Sequence, residues 1–144
     1  MSWQVKTLDE LTPRQLHAIY QTRVAVFVVE QTCPYPEVDE YDLNAMHLFQ
    51  EDNCSIKAYC RLIPTDNTIK LGRVLVTEAY RGTGLGRKLI NQALSTCQQH
   101  FPNQTIYAQA QAHLKDFYAS FGFKAISKEY LEDGIPHVDM TLTA

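Results

Sequence analysis

The stretch Val74-Leu75-Val76-Thr77-Glu78-Ala79-Tyr80-Arg81-Gly82-Thr83-Gly84-Leu85-Gly86-Arg87 constrains this chain more than any other. Its apolar, β-branched start predicts the end of a strand spanning Ile69–Thr77, and its three alternate glycines predict a loop. Leu85, Leu89, Ala93, Cys97 and Phe101 then recur every fourth residue, with Ile90 and Leu94 widening the stripe, so a helix follows to about Phe101. Glycine adopts positive φ without strain and lets the backbone come close to a ligand. The first amides of a helix have no intrahelical partner and carry the positive end of its dipole. A strand, a Gly-rich loop and a helix in this order make a site for phosphate or pyrophosphate.

Local charge agrees. No acidic residue lies between Glu78 and Asp116, whereas Arg81, Arg87, Lys88 and Lys115 are basic. The Walker pattern fails, because Gly86 is followed by Arg87-Lys88-Leu89 rather than Lys and then Ser or Thr. The dinucleotide fingerprint fails too: Arg87 stands where its third glycine belongs, and no acid follows for a ribose. A Gly-rich turn serving only close packing is the plain alternative.

The rest of the chain frames this element. With 144 residues, a single domain over 1–144 is expected, burying roughly 70% of the surface its unfolded chain exposes. Thr12-Pro13-Arg14-Gln15 combines an N-cap, a first-turn proline and a capping-box glutamine, so a helix begins there after a strand over Trp3–Leu8. The β-branched run Val24–Val29 weakens the expectation that this helix stays straight, and Cys33-Pro34-Tyr35-Pro36 ends it. An acidic loop with Glu37, Asp39, Glu40 and Asp42 follows, then strands over His47–Glu51, Ser55–Ile63 and Ile69–Thr77 separated by turn residues. Beyond the central helix, Gln104–Ala110 reads as a strand. Leu114, Phe117, Tyr118 and Phe121 mark a short helix closed by Gly122, and Phe123–Glu129 and His137–Leu142 make a last strand pair. The mixture is α/β or α+β around one sheet.

Net charge is −3, from 13 basic and 16 acidic residues, which gives no general pull toward nucleic acid or anionic membrane. No apolar run is long enough to span a bilayer, and Met1-Ser2-Trp3-Gln4 does not begin a signal peptide. Cys33, Cys54, Cys60 and Cys97 form no CxxC pair and no zinc spacing, so no metal is expected. Cys60 and Cys97 read as small core hydrophobes, and a reducing cytoplasm is the implied compartment.

Arg81-Gly82-Thr83-Gly84-Leu85-Gly86 resembles the R/Q-x-x-G-x-G/A signature of the GNAT N-acetyltransferase superfamily. Phe117-Tyr118-Ala119-Ser120-Phe121-Gly122-Phe123 is similar to its second signature, at the right distance. Val26-Phe27-Val28-Val29-Glu30-Gln31, Cys33-Pro34-Tyr35-Pro36-Glu37 and Glu132-Asp133-Gly134-Ile135-Pro136-His137 resemble the ElaA-like branch. The resemblance implies the GNAT fold: a mixed, mostly antiparallel sheet of about seven strands, splayed in the middle and flanked by about four helices. It implies acetyl-CoA as cosubstrate, with the pantetheine arm along Val74, Leu75 and Val76 and the pyrophosphate against Arg81, Gly82, Thr83, Gly84, Leu85, Gly86 and Arg87. Gln111 stands where many relatives have Asn near the pantetheine. A small-molecule or peptide amine would be the acceptor, with no role for nucleic acid or membrane, and a homodimer is compatible with the family.

Transfer to an amine needs two proton movements. An alkylamine with pKa near 10.4 costs roughly 4–5 kcal/mol to deprotonate at pH 7, so a base is expected. Tyr118 stands where relatives keep the proton donor for the departing thiolate, although a buried tyrosine with a satisfied hydroxyl is the plain alternative. Base candidates are Glu30 and His137 first, then Glu37, Asp39, Asp42 and His47. Glu30 alternatively pairs with Arg23 or Arg73 as a structural bridge. The acidic loop would draw a cationic acceptor. A noncatalytic acyl-CoA-binding module on the same fold is the competing function.

Overall fold

The computed structural model describes residues 2–53 and 55–143; Met1, Cys54 and Ala144, named above, lie outside the described residues. Strand β1 (Gln4–Thr7) leads into α1 (Pro13–Val24), whose start is the predicted capping box. The Gln15 amide donates to Thr12 Oγ1 at 3.1 Å and the Thr12 amide to Gln15 Oε1 at 3.0 Å. Gln15 Nε2 also donates to Glu51 Oε1 at 3.0 Å, pinning the first turn to the sheet. The irregularity expected over Val24–Val29 is a π-helical segment, Ala25–Glu30, that continues α1 without a break. Crowded β-branched side chains favour such a widened turn. This segment continues α1 and is not a separate helix, so three α-helices are present among the described residues where about four were expected.

The remaining elements are β2 (Met46–Asp52), β3 (Ser55–Pro64), β4 (Thr68–Val76), α2 (Leu85–His100), β5 (Thr105–Gln111), α3 (Lys115–Ala119), β6 (Lys124–Ala125), β7 (Tyr130–Glu132) and β8 (Ile135–Leu142). They form one eight-stranded sheet in the order β1-β2-β3-β4-β5-β8-β6, with β7 also on β8. Every pairing is antiparallel except β4 with β5. Of the predicted strand Phe123–Glu129 only Lys124–Ala125 is strand, as β6, and β7 begins just beyond it at Tyr130. Between them Asp139 is bonded irregularly, its carbonyl accepting from the Ile126 amide at 2.8 Å and its amide donating to Ser127 Oγ at 3.0 Å. Asp133 and Gly134 have φ of 52° and 76° and close the β7–β8 hairpin, a tight turn with positive φ at both central residues.

Side-chain alternation assigns the two faces of the sheet. Leu48, Ala58, Cys60, Leu62, Leu71, Ala108, Ala110, Val138 and Met140 join the stripe of α2 (Leu85, Leu89, Ile90, Ala93, Cys97) and Tyr118 in the larger core. On the opposite face Ile19 and Val26 pack on Phe49, Tyr59 and Leu75 beneath α1. Each fully buried Leu or Ile contributes roughly 1.5–3 kcal/mol, so the two cores fix both helices. Cys33, Cys60 and Cys97 are free thiols, all buried. No described helix is long and apolar enough to cross a membrane.

Candidate active site

Strands β4 and β5 pair from Thr68↔Thr105 to Leu71↔Ala108 and then part. The cause is local to β4. Opposite β3 the register slips by one residue between Tyr59 and Arg61, so that Arg73 and Val74 together face Cys60. Arg73 takes φ of 51°, a left-handed conformation unusual for a residue with a side chain. A bulge of this kind bends its strand and increases twist, which carries Val74–Val76 away from β5. Beyond Leu71, the edge of β4 that faces β5 is left without a strand partner.

A cavity of about 540 Å³ opens at this divergence. Its floor takes Gly72, Arg73 and Val74 from β4, Gln109 and Gln111 from β5, and His137 from β8. Phe27, Cys33, Tyr35 and Asp39 form one wall, and Tyr118 and Leu114 another. Period-two alternation explains why this floor is polar. Ile106, Ala108 and Ala110 point into the α2 core, which leaves Gln109 and Gln111 for the other side.

The Gly-rich loop follows β4. A 3-10 turn (Glu78–Tyr80) leads in, and Thr83 Oγ1 donates to the Tyr80 carbonyl at 2.6 Å. Gly82 and Gly84 have φ of 75° and 83°, and a β-carbon on either would meet no atom within 4 Å. The loop therefore borders open space on the side where side chains would project. Gly84 caps α2 in the left-handed conformation, and its carbonyl accepts from the Lys88 amide at 3.3 Å. The amides of Leu85, Gly86 and Arg87 precede that bond and lie in the first turn. Arg87 is stacked on the Phe121 ring at 4.6 Å and donates to Ser120 Oγ at 3.2 Å, which links the loop to the segment carrying Tyr118.

Tyr118 is 5% exposed, edge-on to Phe117 and Phe123 with ring centroids 5.4 Å and 5.7 Å away. Its hydroxyl has no hydrogen-bond partner among the described residues, although its ring lines the cavity. Burial pushes its pKa well up, so the group keeps its proton at neutral pH. His137 also lines the cavity and is the register partner of Gln111. Its Nδ1 lies 2.7 Å from the Ile135 carbonyl, which can only accept, so Nδ1 carries the proton and Nε2 keeps a lone pair. The ring stacks on Tyr130 at 6.2 Å.

The structure departs from expectation at the acids. Glu30 does not line the cavity and pairs with neither Arg23 nor Arg73. Its Oε2 accepts from Arg81 Nη2 at 2.9 Å, while Arg81 Nε donates to the Val76 carbonyl at 2.8 Å. That ion pair sits at the surface and ties the π-helical segment to the Gly-rich loop. Glu37, Asp39 and Asp42 are not a solvated negative patch either, because three arginines pair with them, while Glu40 of the same loop is exposed. Arg23, wholly buried, donates from Nε to Glu37 Oε1 at 2.6 Å and from Nη1 to Asp42 Oδ1 at 2.6 Å. Arg61 donates to Asp39 Oδ1 at 2.7 Å and Asp42 Oδ1 at 3.0 Å. Burial alone would raise the Asp39 and Asp42 pKa values, but the guanidinium hydrogen bonds carry both below the usual carboxylate value. These three acids therefore add little to any long-range attraction of a cationic acceptor.

His47 belongs to the same buried cluster rather than to the cavity. Its Nε2 donates to the Asp42 carbonyl at 3.1 Å, and its Nδ1 accepts from the Tyr59 hydroxyl at 2.6 Å. Burial holds its pKa below the ordinary 6.5 despite the pull of Asp42. The folded state thus prefers the neutral ring, and stability is full above about pH 6.5 and lost as pH falls through the lowered folded value. Denaturant unfolding between about pH 8 and pH 5 should show that decline. In His47→Gln the decline should vanish; if it persists unchanged, another group is responsible.

A fold with these parting strands, Gly-rich loop and open crevice is that of an acyltransferase, and the chain belongs to the acetyltransferase (GNAT) domain family, whose profile matches residues 11–144. Protein ElaA of Escherichia coli K12 is 43% identical over 145 residues, covering 97% of this chain and 95% of that protein. The crystal structure of that ElaA aligns with a TM-score of 0.94 over 98% of this chain and 99% of its own. An acyl-CoA N-acyltransferase from Pseudomonas aeruginosa is 40% identical with a TM-score of 0.93, covering 97% of each chain. A UPF0039 protein of Schizosaccharomyces pombe is 47% identical over 140 residues, 95% of this chain and 93% of that protein. The chain is an ElaA-like member of the family.

Several cavity residues escaped the sequence reading: Arg73, Gln109, Tyr35, Cys33 and Arg61. A signal existed for Arg73, since Gly72 inside an apolar strand marks a bulge. Arg61, in a run otherwise apolar, signalled a buried acid elsewhere.

Proposed function

We propose that the protein is an acetyl-CoA-dependent N-acetyltransferase acting on a primary amine. The observation that supports this best is the open crevice between β4 and β5, continuous with a cavity that Tyr118 and His137 both line. The residues fit the donor. Open space over Gly82 and Gly84, with unpaired amides at the start of α2, suits a diphosphate. The free edge of Val74, Leu75 and Val76 suits the amide-bearing pantetheine as a strand suits its neighbour, with Gln111 opposite. Bound there, acetyl-CoA supplies an activated thioester.

The chain's own groups do the rest. His137 Nε2, its lone pair fixed by the Nδ1 bond to Ile135, takes the proton of the acceptor ammonium, directly or through water. The amine nitrogen bonds to the thioester carbon, the carbon–sulfur bond breaks, and the second proton of the acylated nitrogen, given up as the amide forms, makes good the one that Tyr118 gives to sulfur. Tyr118, protonated and without another partner, donates to the departing sulfur. Glu30 holds Arg81 and, through it, the end of β4; it has no place in proton transfer.

The test is a titration and a kinetic comparison. Tyr118→Phe should bind CoA within about twofold of wild type and lose roughly a hundredfold in kcat. His137→Gln should also lower kcat while CoA affinity stays. A wild-type protein that binds CoA but acetylates nothing across a broad amine panel would be the noncatalytic module instead.

A further inference from the structure

The acid–arginine cluster is unevenly shared. Arg23 uses all three of its nitrogens on Glu37 and Asp42. Arg61 takes both oxygens of Asp39, at 2.7 Å and 3.0 Å. Arg73 gets what remains: the Glu37 carbonyl at 2.9 Å, Asp39 Oδ2 at 3.4 Å and Glu37 Oε2 at 3.6 Å. Charge-assisted pairs settle nearer 2.7–2.9 Å, so Arg73 is loosely paired with both carboxylates. Its Nε is buried without a hydrogen bond, and its Nη1 donates to nothing among the described residues.

Position sharpens the point. Arg73 is the bulge residue where β4 leaves β5, held in a left-handed conformation that glycine would adopt more easily. It lines the cavity one residue before the strand edge assigned to the donor, and its guanidinium lies 5.3 Å from the Tyr35 ring, which steadies it. A backbone need alone would be met by glycine. The retained side chain lines the cavity with its Nη1 donors unused among the described residues.

Resting on the acyl-transfer reading above, we infer that Arg73 anchors a carboxylate of the acceptor, so that the amine acylated here belongs to an amino acid or another amine bearing a carboxylate. The cluster as a whole is neutral, three arginines against three acids, so recognition comes from directed hydrogen bonds and not from a long-range field.

Matched acceptors test this on the full chain: L-phenylalanine against 2-phenylethylamine, and L-lysine against 1,5-diaminopentane. With wild type, the carboxylated member of each pair should show at least tenfold higher kcat/KM. Arg73→Gln should raise KM for that member at least tenfold, with a much smaller change in kcat, and shrink the preference within a pair below threefold. Arg73→Lys, keeping charge but losing the planar fork, should fall between. Calorimetric binding of the same pairs to the CoA-loaded wild type needs neither a variant nor turnover. There the carboxylated member should bind at least tenfold tighter. Equal or better binding of the amine lacking a carboxylate overturns the inference, as does binding of neither class. Tenfold preference in binding with no transfer to any amine overturns the acyl-transfer reading and leaves Arg73's role standing.

Discussion

Arg23→Ala is expected to cost about 3–5 kcal/mol of folding stability, a fall of roughly 10–20 °C in Tm for a chain of this length. Arg23 is 0% exposed and its guanidinium is the only group that reaches both Glu37 and Asp42 at 2.6 Å among the described residues. Removing it leaves Glu37 (3% exposed) and Asp42 (1% exposed) buried, Asp42 with Arg61 alone at 3.0 Å and Glu37 with Arg73 alone at 3.6 Å, both arginines being shared with Asp39. Two buried carboxylates that lose their shortest and shared counter-ion cost far more than the pairing itself stabilised. The loss has a pH signature. Asp42 in the wild type titrates below its ordinary value, so its contribution is full above about pH 3.8 and disappears as pH falls through the lowered value. In the variant the stranded acids take up protons more readily, and the stability gap to wild type should narrow as pH drops from about 7 to 5. Urea unfolding of both proteins at the two pH values measures it. A gap below about 1 kcal/mol at pH 7 would mean that the cluster relaxes into water and does not hold the cavity wall.

That cluster also marks the boundary of what the sequence discloses. Local rules worked where the deciding contacts are local. Thr12 and Gln15 are three apart and cap α1 as predicted; Gly82 to Gly86 and the stripe of α2 needed no distant partner. They failed where register decides. Glu37, Asp39 and Asp42 look like a solvated loop because nothing within a few residues pairs with them. Their burial follows from the pairing of His47 with Arg61 across β2 and β3, which sets Arg61 and Arg23 under the same loop. The ion-pair partner of Glu30 is hidden for the same reason: it is Arg81, 51 residues away, brought near by the exit of β4. The early end of β6, where Phe123–Glu129 was expected to run on as a strand, goes with Ser127 Oγ accepting from the Asp139 amide, a long-range contact again. The Asp133-Gly134 turn, by contrast, carried a local hairpin signal. As for the site, the Gly-rich loop was legible from residues alone, whereas the bulge at Arg73, which opens the crevice, left only Gly72 as a trace.

Gly84→Val should weaken CoA binding about a thousandfold, or roughly 4 kcal/mol. At φ of 83° glycine is at ease and a β-branched residue is not, so a further stability loss of about 1–3 kcal/mol accompanies the change. The two losses separate because the space over Gly84 is empty of protein atoms. Strain is felt with or without a ligand, whereas the isopropyl group clashes only with something seated on the loop. Gly86 provides the control for strain. Its φ is not in the left-handed region, and a β-carbon there would lie 3.8 Å from Val76 Cγ2 and 3.9 Å from Phe117 Cζ, ordinary contact distances. Gly86→Ala should therefore fold with wild-type stability. If the diphosphate lies against the first turn of α2, that single methyl group lowers CoA affinity through contact with the ligand alone, by less than valine at 84 does. Calorimetric titration of CoA into the three proteins, beside their thermal melts, reads both quantities. A folded Gly84→Val protein with wild-type affinity would put the diphosphate somewhere other than this loop, and with it the thioester somewhere other than between β4 and β5.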